Sequence, residues 1–132
     1  MRFIFLVISI IVGLMLFITV QAEAPTTELP EPTATDLVAF YFGSDSNVMI
    51  AIAQCESSLQ QFQEDGTPVK SQTNDYGFLQ INEYYNGSDA KRLGLDYKKS
   101  LHDNIKMAKY IYDKQGLKAW STYKNGCYKK FL

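Results

Sequence analysis

The sequence predicts a small, mainly α-helical domain that follows an apolar N-terminal segment and a proline-rich linker. Three observations lead to this fold class. Apolar residues recur at steps of three and four in two stretches, which is the spacing of one buried helix face. Capping residues and glycines bracket those stretches. A polar, turn-rich stretch separates them and predicts a loop or a minor hairpin.

The N-terminal segment, residues 1–24, is the first element. One arginine precedes residues 3–20, which contain only two polar side chains. This pattern predicts either a secretory signal peptide, cleaved near the small residues that end at Ala24, or an uncleaved membrane anchor. A helix of this length spans about 27 Å, close to the bilayer hydrocarbon thickness of about 30 Å. In both cases the rest of the chain is extracytoplasmic, either secreted or tethered to the outer face of the cytoplasmic membrane.

Residues 25–35 contain three of the four prolines and almost no core-forming side chains, which predicts an extended linker. The remaining residues, 36–132, form one predicted domain. A domain of this size buries enough surface for one modest core, so its stability from burial alone is marginal.

Two short elements are predicted at the start of the domain. Asp36 is the expected N-cap of a helix over residues 37–42, and Gly43 is suited to end it. Ser46 or Asn47 is the expected cap of the next helix. Its predicted buried face comprises Val48, Ile52, Cys55, Leu59 and Phe62.

The second half of the domain has its own start and stop signals. Residues 64–75 are polar and predict the loop or hairpin. Ser88 is the expected cap of a brief helix that ends at Gly94. Ser100 and Asp103 resemble a capping box. The helix that follows has a predicted buried face of Leu101, Ile105, Ala108, Ile111 and Tyr112, ends at Gly116, and precedes a last short helix over residues 119–123.

Two carboxylates stand out chemically. Glu56 lies beside the apolar stripe of its helix, where burial without a partner would raise its pKa and keep it protonated. Asp75 follows the polar loop and could serve as an ionised partner. Two carboxylates with different surroundings are the minimal equipment for cleaving a glycosidic bond. The simpler interpretation is that Glu56 is a solvated residue next to a core face.

The chain has two cysteines, Cys55 and Cys127. In an exported chain an even pair favours a disulfide. Closing a loop of this length would contribute roughly 4 kcal/mol. The alternative is a buried Cys55 and an exposed Cys127 thiol. We expect no cofactor and no metal, because His102 is the only histidine and is distant in sequence from both cysteines.

Charge is unevenly distributed. Residues 91–132 hold eleven Lys or Arg and three Asp, a net charge of +8, whereas residues 37–90 hold one Lys and seven acidic residues, a net charge of −6. A basic surface would be attracted to anionic envelope polymers, although ordinary solvated lysines explain the pattern equally well. Export argues against nucleic acid as a partner. We expect the protein to act as a monomer.

Taken together, several segments resemble the lysozyme superfamily, and most closely the transglycosylase SLT and resuscitation-promoting-factor-like domains. The resemblance covers roughly residues 46–127. The segments that carry it are Ile52-Ala53-Gln54-Cys55-Glu56-Ser57, Asp75-Tyr76-Gly77-Phe78-Leu79-Gln80-Ile81-Asn82, Asp103-Asn104-Ile105, Gln115-Gly116 and Ala119-Trp120.

The resemblance implies roles for particular residues. It makes Glu56 the catalytic acid and pairs Cys55 with Cys127, although Cys127 lies further from Trp120 than the resuscitation-promoting pattern suggests. Asp75 matches the second carboxylate of animal-type lysozymes, whereas in lytic transglycosylases that position need not be acidic. Ser57, Tyr76 and Gln80 are then the expected substrate-binding side chains, because hydroxyls, amides and aromatic faces suit sugars.

The implied substrate is the peptidoglycan glycan strand, cut at the β-1,4 bond between N-acetylmuramic acid and N-acetylglucosamine. Glu56 would protonate the bridging oxygen, and either water or the sugar's own 6-hydroxyl would complete the reaction. Two non-enzymatic hypotheses stay open: a silent glycan-binding or structural module of lysozyme-like fold, and a disulfide-stapled adhesin. If uncleaved, the N-terminal segment would add the membrane as a partner.

Overall fold

The computed structural model describes residues 30–132, so the predicted signal or anchor and most of the predicted linker lie outside the described residues. Its first helix, α1 (Ala34–Phe42), begins earlier than predicted because Thr33 caps it. The Thr33 hydroxyl accepts from the Asp36 backbone N–H at 3.2 Å, and the Asp36 carboxylate accepts from the Thr33 N–H at 2.9 Å. Asp36 is therefore the third helical residue of a capping box, and its predicted N-cap role is wrong. Gly43 ends the helix as predicted.

Helix α2 (Ser46–Ser57) carries Glu56 in its last turn. It follows a short 3-10 turn, and its N-cap is Asp45, so the predicted caps Ser46 and Asn47 are both wrong. The predicted stripe is also too long. Ser58 and Leu59 take left-handed backbone conformations, with φ of 55° and 63°, which end the helix. Leu59 and Phe62 are consequently exposed, whereas Ile52 is fully buried.

A minor hairpin is present between α2 and the next helix as predicted, but its strands lie almost entirely after the predicted range of residues 64–75. Strands β1 (Asp75–Tyr76) and β2 (Ile81–Asn82) pair antiparallel, with Asp75 opposite Asn82. Two isolated bridges, Phe62 to Pro68 and Lys70 to Tyr76, extend this pairing into the preceding loop. The hairpin therefore brings Asp75 and the turn after it back against the helices.

Two helices follow the hairpin. Helix α3 (Glu83–Leu93) is capped by Asn82, whose side chain accepts from the Tyr85 N–H at 3.2 Å. The predicted cap, Ser88, lies inside this helix, although the helix does end at Gly94 as predicted. Helix α4 (Leu101–Gln115) has the predicted ends, with Ser100 as its N-cap and Gly116 as its C-cap. Only half of the predicted capping box forms, because the Asp103 carboxylate accepts from the Asp96 N–H instead of the Ser100 N–H.

The C-terminal segment is a series of short turns. A 3-10 turn (Gly116–Ala119), the four-residue helix α5 (Ser121–Lys124) and a last 3-10 turn (Cys127–Phe131) replace the predicted short helix over 119–123. The predicted disulfide is confirmed. Cys55 and Cys127 are 72 residues apart in sequence and bonded, with a Cα–Cα distance of 6.3 Å. The bond ties the end of the chain to α2, directly beside Glu56.

One apolar core joins these elements within the compact unit Glu31–Leu132. Its largest fully buried side chains come from α1, α2, the hairpin and α4: Val38, Met49, Ile52, Phe78, Leu79, Ile81, Ile105 and Met107, with the amide of Asn104 among them. The domain is mainly α-helical with a small two-stranded sheet, as predicted. In the part of the chain that the structure describes, no helix is long and apolar enough to cross a membrane.

Candidate active site

A cleft of about 490 Å³ opens between the end of α2, the hairpin, α3 and the C-terminal turns. Both predicted carboxylates, Glu56 and Asp75, line it. The other lining residues are Gln80, Ile81, Asn82, Tyr85, Asn86, Ile111, Gln115, Ala119, Trp120, Ser121 and Lys124. The cleft is thus walled by amide, hydroxyl and aromatic side chains around two acids, a composition that suits a polar, ring-shaped ligand.

Glu56 is half-buried at the C-terminal end of α2. Burial raises the pKa of its carboxyl above the ordinary value, and the nearby negative charge of Asp75 raises it further. One hydrogen bond opposes these effects: the Thr122 hydroxyl, on α5, donates to Glu56 Oε1 at 2.6 Å. The net direction is upward, so Glu56 holds a proton to higher pH than a solvated glutamate would.

Asp75 lies on β1 and has the opposite shift. Partial burial by itself would raise the pKa of Asp75, but three side-chain donors outweigh it and lower the pKa below the ordinary value. The Ser71 hydroxyl and the Asn82 amide each donate at 2.6 Å, and the Thr73 hydroxyl donates as well. Asp75 is therefore an anion held in a fixed orientation at neutral pH.

The two acids differ in the way that acid catalysis at a glycosidic bond requires. A protonated Glu56 can donate to a leaving-group oxygen, and an ionised Asp75 can stabilise positive charge that develops on a sugar ring. Both groups reach one cleft, and their charges interact. The geometry therefore brings together the pair that the sequence singled out.

Of the three predicted substrate-binding residues, the structure places Gln80 in the cleft. Gln80 is the last residue of the tight turn between the strands and has a left-handed φ of 48°. Its side-chain amide donates back to the Gly77 carbonyl at 2.8 Å, which fixes the side chain at the floor of the hairpin. The amide is thus oriented before any ligand arrives.

Ser57 and Tyr76 are not among the residues that line the cleft. Ser57 is buried, and its hydroxyl donates to the Phe78 carbonyl at 2.8 Å, so it joins α2 to the hairpin. The Tyr76 ring packs elsewhere, with the Lys98 ammonium 4.4 Å from its centre and the Tyr97 ring at 6.4 Å. Both side chains have structural partners where the sequence predicted sugar contacts.

Two buried amides that sequence reasoning missed support the hairpin from behind. Gln61 Oε1 accepts from the Phe78 N–H at 2.8 Å, and Asn104 Oδ1 accepts from the Leu79 N–H at 2.9 Å. Their amino groups donate in turn to carbonyls of the surrounding loops: Gln61 to Tyr97 and Lys98, and Asn104 to Tyr76 and Tyr97. Every one of these bonds is buried or partly buried, so the turn between β1 and β2 is rigidly held.

Gly77 shows how tightly this turn is packed. Its φ is +76°, and a Cβ at this position would lie 2.4 Å from Gln61 Oε1 and 2.5 Å from Asn104 Nδ2. Only glycine satisfies both the backbone conformation and the space. The Trp120 indole N–H adds a further support by donating to the Leu79 carbonyl at 3.0 Å.

Trp120 also shows that core and cleft overlap. It is buried among the core side chains, and it also lines the cleft. Tyr85 and Asn86 on α3 were missed entirely. Tyr85 is 76% exposed and Asn86 is partly buried, and polar residues on such a helix give no periodic signal. Within residues 30–132, no group of three or more His, Cys, Asp and Glu side chains could hold a metal ion.

Comparison with known proteins gives one relevant similarity. The chain is similar to lysozyme C of Trichosurus vulpecula, with 32% identity over 93 residues that cover 63% of each protein. The chain therefore spans less than two thirds of the length of that relative. No protein-family model and no solved structure matches the chain. The similarity supports a lysozyme-like relationship, and the mainly helical architecture with its small sheet is that of a small lysozyme-like domain.

Proposed function

We propose that the protein is a glycosidase that cleaves the β-1,4 bond between N-acetylmuramic acid and N-acetylglucosamine in peptidoglycan. The observation that carries the proposal is the presence, in one cleft, of two carboxyls whose pKa values are shifted in opposite directions. The similarity to lysozyme C supports the same class of reaction. The identity of the scissile bond comes from the sequence resemblance and is part of the proposal.

Glu56 is the proposed general acid. Because its pKa is raised, it keeps its proton to higher pH than a solvated glutamate and can donate that proton to the bridging oxygen as the glycosidic bond breaks. The Thr122 hydroxyl holds one carboxyl oxygen, Oε1, and so orients the group toward the cleft. The carboxylate that remains then accepts a proton from the group that attacks the sugar, which restores the acid.

Asp75 is the proposed second carboxylate. The bond-breaking transition state places positive charge on the sugar ring, and an oriented anion stabilises such charge best in a partly dry site. The three donors keep Asp75 ionised and oriented in the cleft. Such an anion suits hydrolysis by water, in which Asp75 stabilises the charged sugar or attacks it.

A second route remains a candidate, because the sequence also resembles lytic transglycosylases. In that route the sugar's own 6-hydroxyl attacks with Glu56 as the base, and the product is a 1,6-anhydro end. The route requires only Glu56. A silent glycan-binding module would instead require neither acid, only the amide and aromatic walls of the cleft.

The proposed location is extracytoplasmic, secreted or tethered at the membrane. The Cys55–Cys127 disulfide supports this, because such bonds persist in oxidising compartments. The choice between a cleaved signal and an uncleaved anchor in residues 1–24 is a separate prediction. Determining the N-terminus of the mature protein by mass spectrometry distinguishes the two, since cleavage would remove about the first 22 to 24 residues.

Incubation with purified peptidoglycan, followed by mass spectrometry of the released fragments, tests the proposed activity. We expect muropeptides with reducing ends from the unmodified protein and a loss of at least about 10³-fold from Glu56→Gln. Glu64→Gln is the matched control, because Glu64 is an exposed carboxylate outside the cleft. Anhydro ends would assign the second route. Absence of fragments from the unmodified protein would leave only the two non-enzymatic hypotheses, the silent glycan-binding or structural module and the disulfide-stapled adhesin.

A further inference from the structure

A second groove, of about 540 Å³, adjoins the candidate active site at the C-terminal turns. We name it the lysine groove. Its lining residues are Lys118, Tyr123, Lys124, Asn125, Gly126, Tyr128 and Lys129. Lys124 lines both this groove and the cleft, so the two concave surfaces share a wall.

The three lysines of the groove, Lys118, Lys124 and Lys129, have no ion-pair partner within residues 30–132. Four other lysines do form ion pairs with carboxylates: Lys98 with Glu83, Lys99 with Asp96, Lys109 with Asp113 and Lys114 with Asp89. The other described lysines without such a pair lie outside the groove lining: Lys70, Lys91, Lys106 and Lys130. No carboxylate lines the groove. The groove therefore presents positive charge that the domain itself does not neutralise.

The groove is also fixed in shape. The Tyr123 and Tyr128 rings are stacked, with centres 4.7 Å apart. The Cys127 N–H donates to Asn125 Oδ1 at 2.9 Å, and the disulfide at Cys127 anchors this segment to α2. A concave surface that is already ordered loses little conformational entropy when a ligand binds.

We propose that the lysine groove binds the carboxylates of the peptide stems that branch from the glycan strand. This inference rests on the proposed function, because it takes the occupant of the cleft to be peptidoglycan. Because Lys124 lines both surfaces, a stem that leaves the cleft on this side meets the wall of the groove directly. Four extended residues span about 13 Å, so such a stem continues along the groove beyond Lys124.

Covalent attachment is the reason to choose the stem over a separate anionic polymer. Once a sugar occupies the cleft, its stem is present at a high effective concentration at the shared wall, so even weak contacts with lysines add to affinity. A separate polyanion would gain nothing from a groove that adjoins the cleft. The position of Lys124 in both surfaces therefore favours a ligand that continues from one into the other.

Binding measurements on the Glu56→Gln protein test the inference without turnover. The ligands are soluble glycan strands with native stems and the same strands after amidation of their carboxylates. We expect Lys118→Gln/Lys129→Gln, made in the same protein, to weaken binding of native strands about five- to tenfold at low salt. Binding of amidated strands should not weaken further, because the charge that the groove recognises is already gone.

The matched control is Lys91→Gln/Lys106→Gln, which removes two exposed lysines that form no ion pair within the described residues and lie outside the groove. It should change binding of native strands less than twofold. Equal binding of native strands by the groove variant and its parent would overturn the proposal. An equal loss for amidated strands would do the same. Tighter, groove-dependent binding of polyglycerol phosphate would assign the groove to a separate polymer and also overturn it.

Failure of the proposed function has a different signature. In that case the unmodified protein releases no fragments from peptidoglycan, whatever the groove variant does. Cleavage by the unmodified protein, combined with identical binding by the groove variant and its parent, would contradict the stem-binding inference alone. The two proposals can thus fail independently.

Discussion

Glu56 and Asp75 line one cleft, but they stand on different kinds of structure. Glu56 is in the last turn of a helix, more deeply buried, and receives one hydrogen bond, from Thr122. Asp75 is on a two-residue strand, less buried, and receives bonds from three side chains. Burial decides the direction of the pKa shift at Glu56, whereas the three hydrogen bonds together decide it at Asp75. The balance between these two effects, rather than residue type, decides which acid holds the proton.

This contrast sets the expected pH profile of the proposed reaction. Activity requires Asp75 ionised and Glu56 protonated. It should therefore fall on the acidic side as Asp75 takes up a proton, at a pH below the ordinary aspartate range. It should fall on the alkaline side as Glu56 loses its proton, at a pH above the ordinary glutamate range. Because the pKa of Asp75 is lowered and that of Glu56 is raised, the pH range between the acidic and alkaline limbs of the pH–rate profile is widened.

The largest expected effect separates the two acids directly. Glu56→Gln removes the only proposed proton donor and should lower the rate at least about 10³-fold, whereas Asp75→Asn should lower it about 10- to 100-fold and leave reducing ends as the product. Initial rates and end groups of the fragments measure both. A nearly unchanged hydrolysis rate for Asp75→Asn would remove Asp75 from the mechanism.

The second prediction concerns the turn that joins strands β1 and β2. Gly77→Ala should lower the free energy of unfolding by roughly 3 kcal/mol, because it combines backbone strain with a Cβ that overlaps Gln61 and Asn104. Gly66→Ala is a matched control, since Gly66 has a similar φ of +80° but open space around its Cβ. It should cost only about 1 kcal/mol. Chemical denaturation measures both.

If the two alanine variants were equally stable, overlap at Gly77 would be absent, and the amides behind the hairpin would be less rigid than their bonds indicate. A larger loss of stability for Gly77→Ala should be accompanied by a loss of activity. The turn holds Gln80 in the cleft and positions the strand that presents Asp75.

The contrast between Glu56 and Asp75 also explains which features of the protein could be predicted from its sequence. Glu56, the disulfide, the hairpin and both ends of α4 depend on local patterns: helical spacing, cysteine number, turn residues and caps. Glu56 was found because it lies beside an apolar stripe on a regular helix. Its place in the cleft followed from the position of that helix.

The side chains that support the hairpin, on which Asp75 lies, could not be predicted from local patterns. Gln61 and Asn104 act on the Phe78 and Leu79 backbone across 17 and 25 residues of sequence. Nothing local marks a glutamine or an asparagine as buried. The same limit applies to Thr122, which reaches Glu56 across 66 residues. Ser57 was predicted to bind substrate for a related reason. Its hydroxyl donates to the Phe78 carbonyl in the hairpin, and only the fold brings these two residues together.

A third prediction tests the donors to Asp75. Ser71→Ala/Thr73→Val removes two of the bonds that lower the pKa of Asp75, so the acidic limb of the pH–rate profile should move to higher pH. At pH 7 the rate should fall less than about threefold, because Asp75 is still ionised there. Ser88→Ala, on the exposed side of α3, is the control. An unmoved acidic limb would mean that another group sets it.

The smallest expected effect comes from the single donor to Glu56. The bond from Thr122 favours the ionised carboxylate and lowers its pKa, so Thr122→Val should raise the pKa of Glu56 and move the alkaline limb to higher pH. Thr122→Ser keeps the hydroxyl and should leave the limb in place. On the acidic side of that limb Glu56 is protonated with or without the bond, so the rate there should change less than about threefold unless the bond also orients the acid. A loss at all pH values without movement of the limb would show that Thr122 positions Glu56 rather than tuning its proton affinity. A limb that moved to lower pH would contradict the assigned direction, and burial would then no longer explain why Glu56 and Asp75 differ.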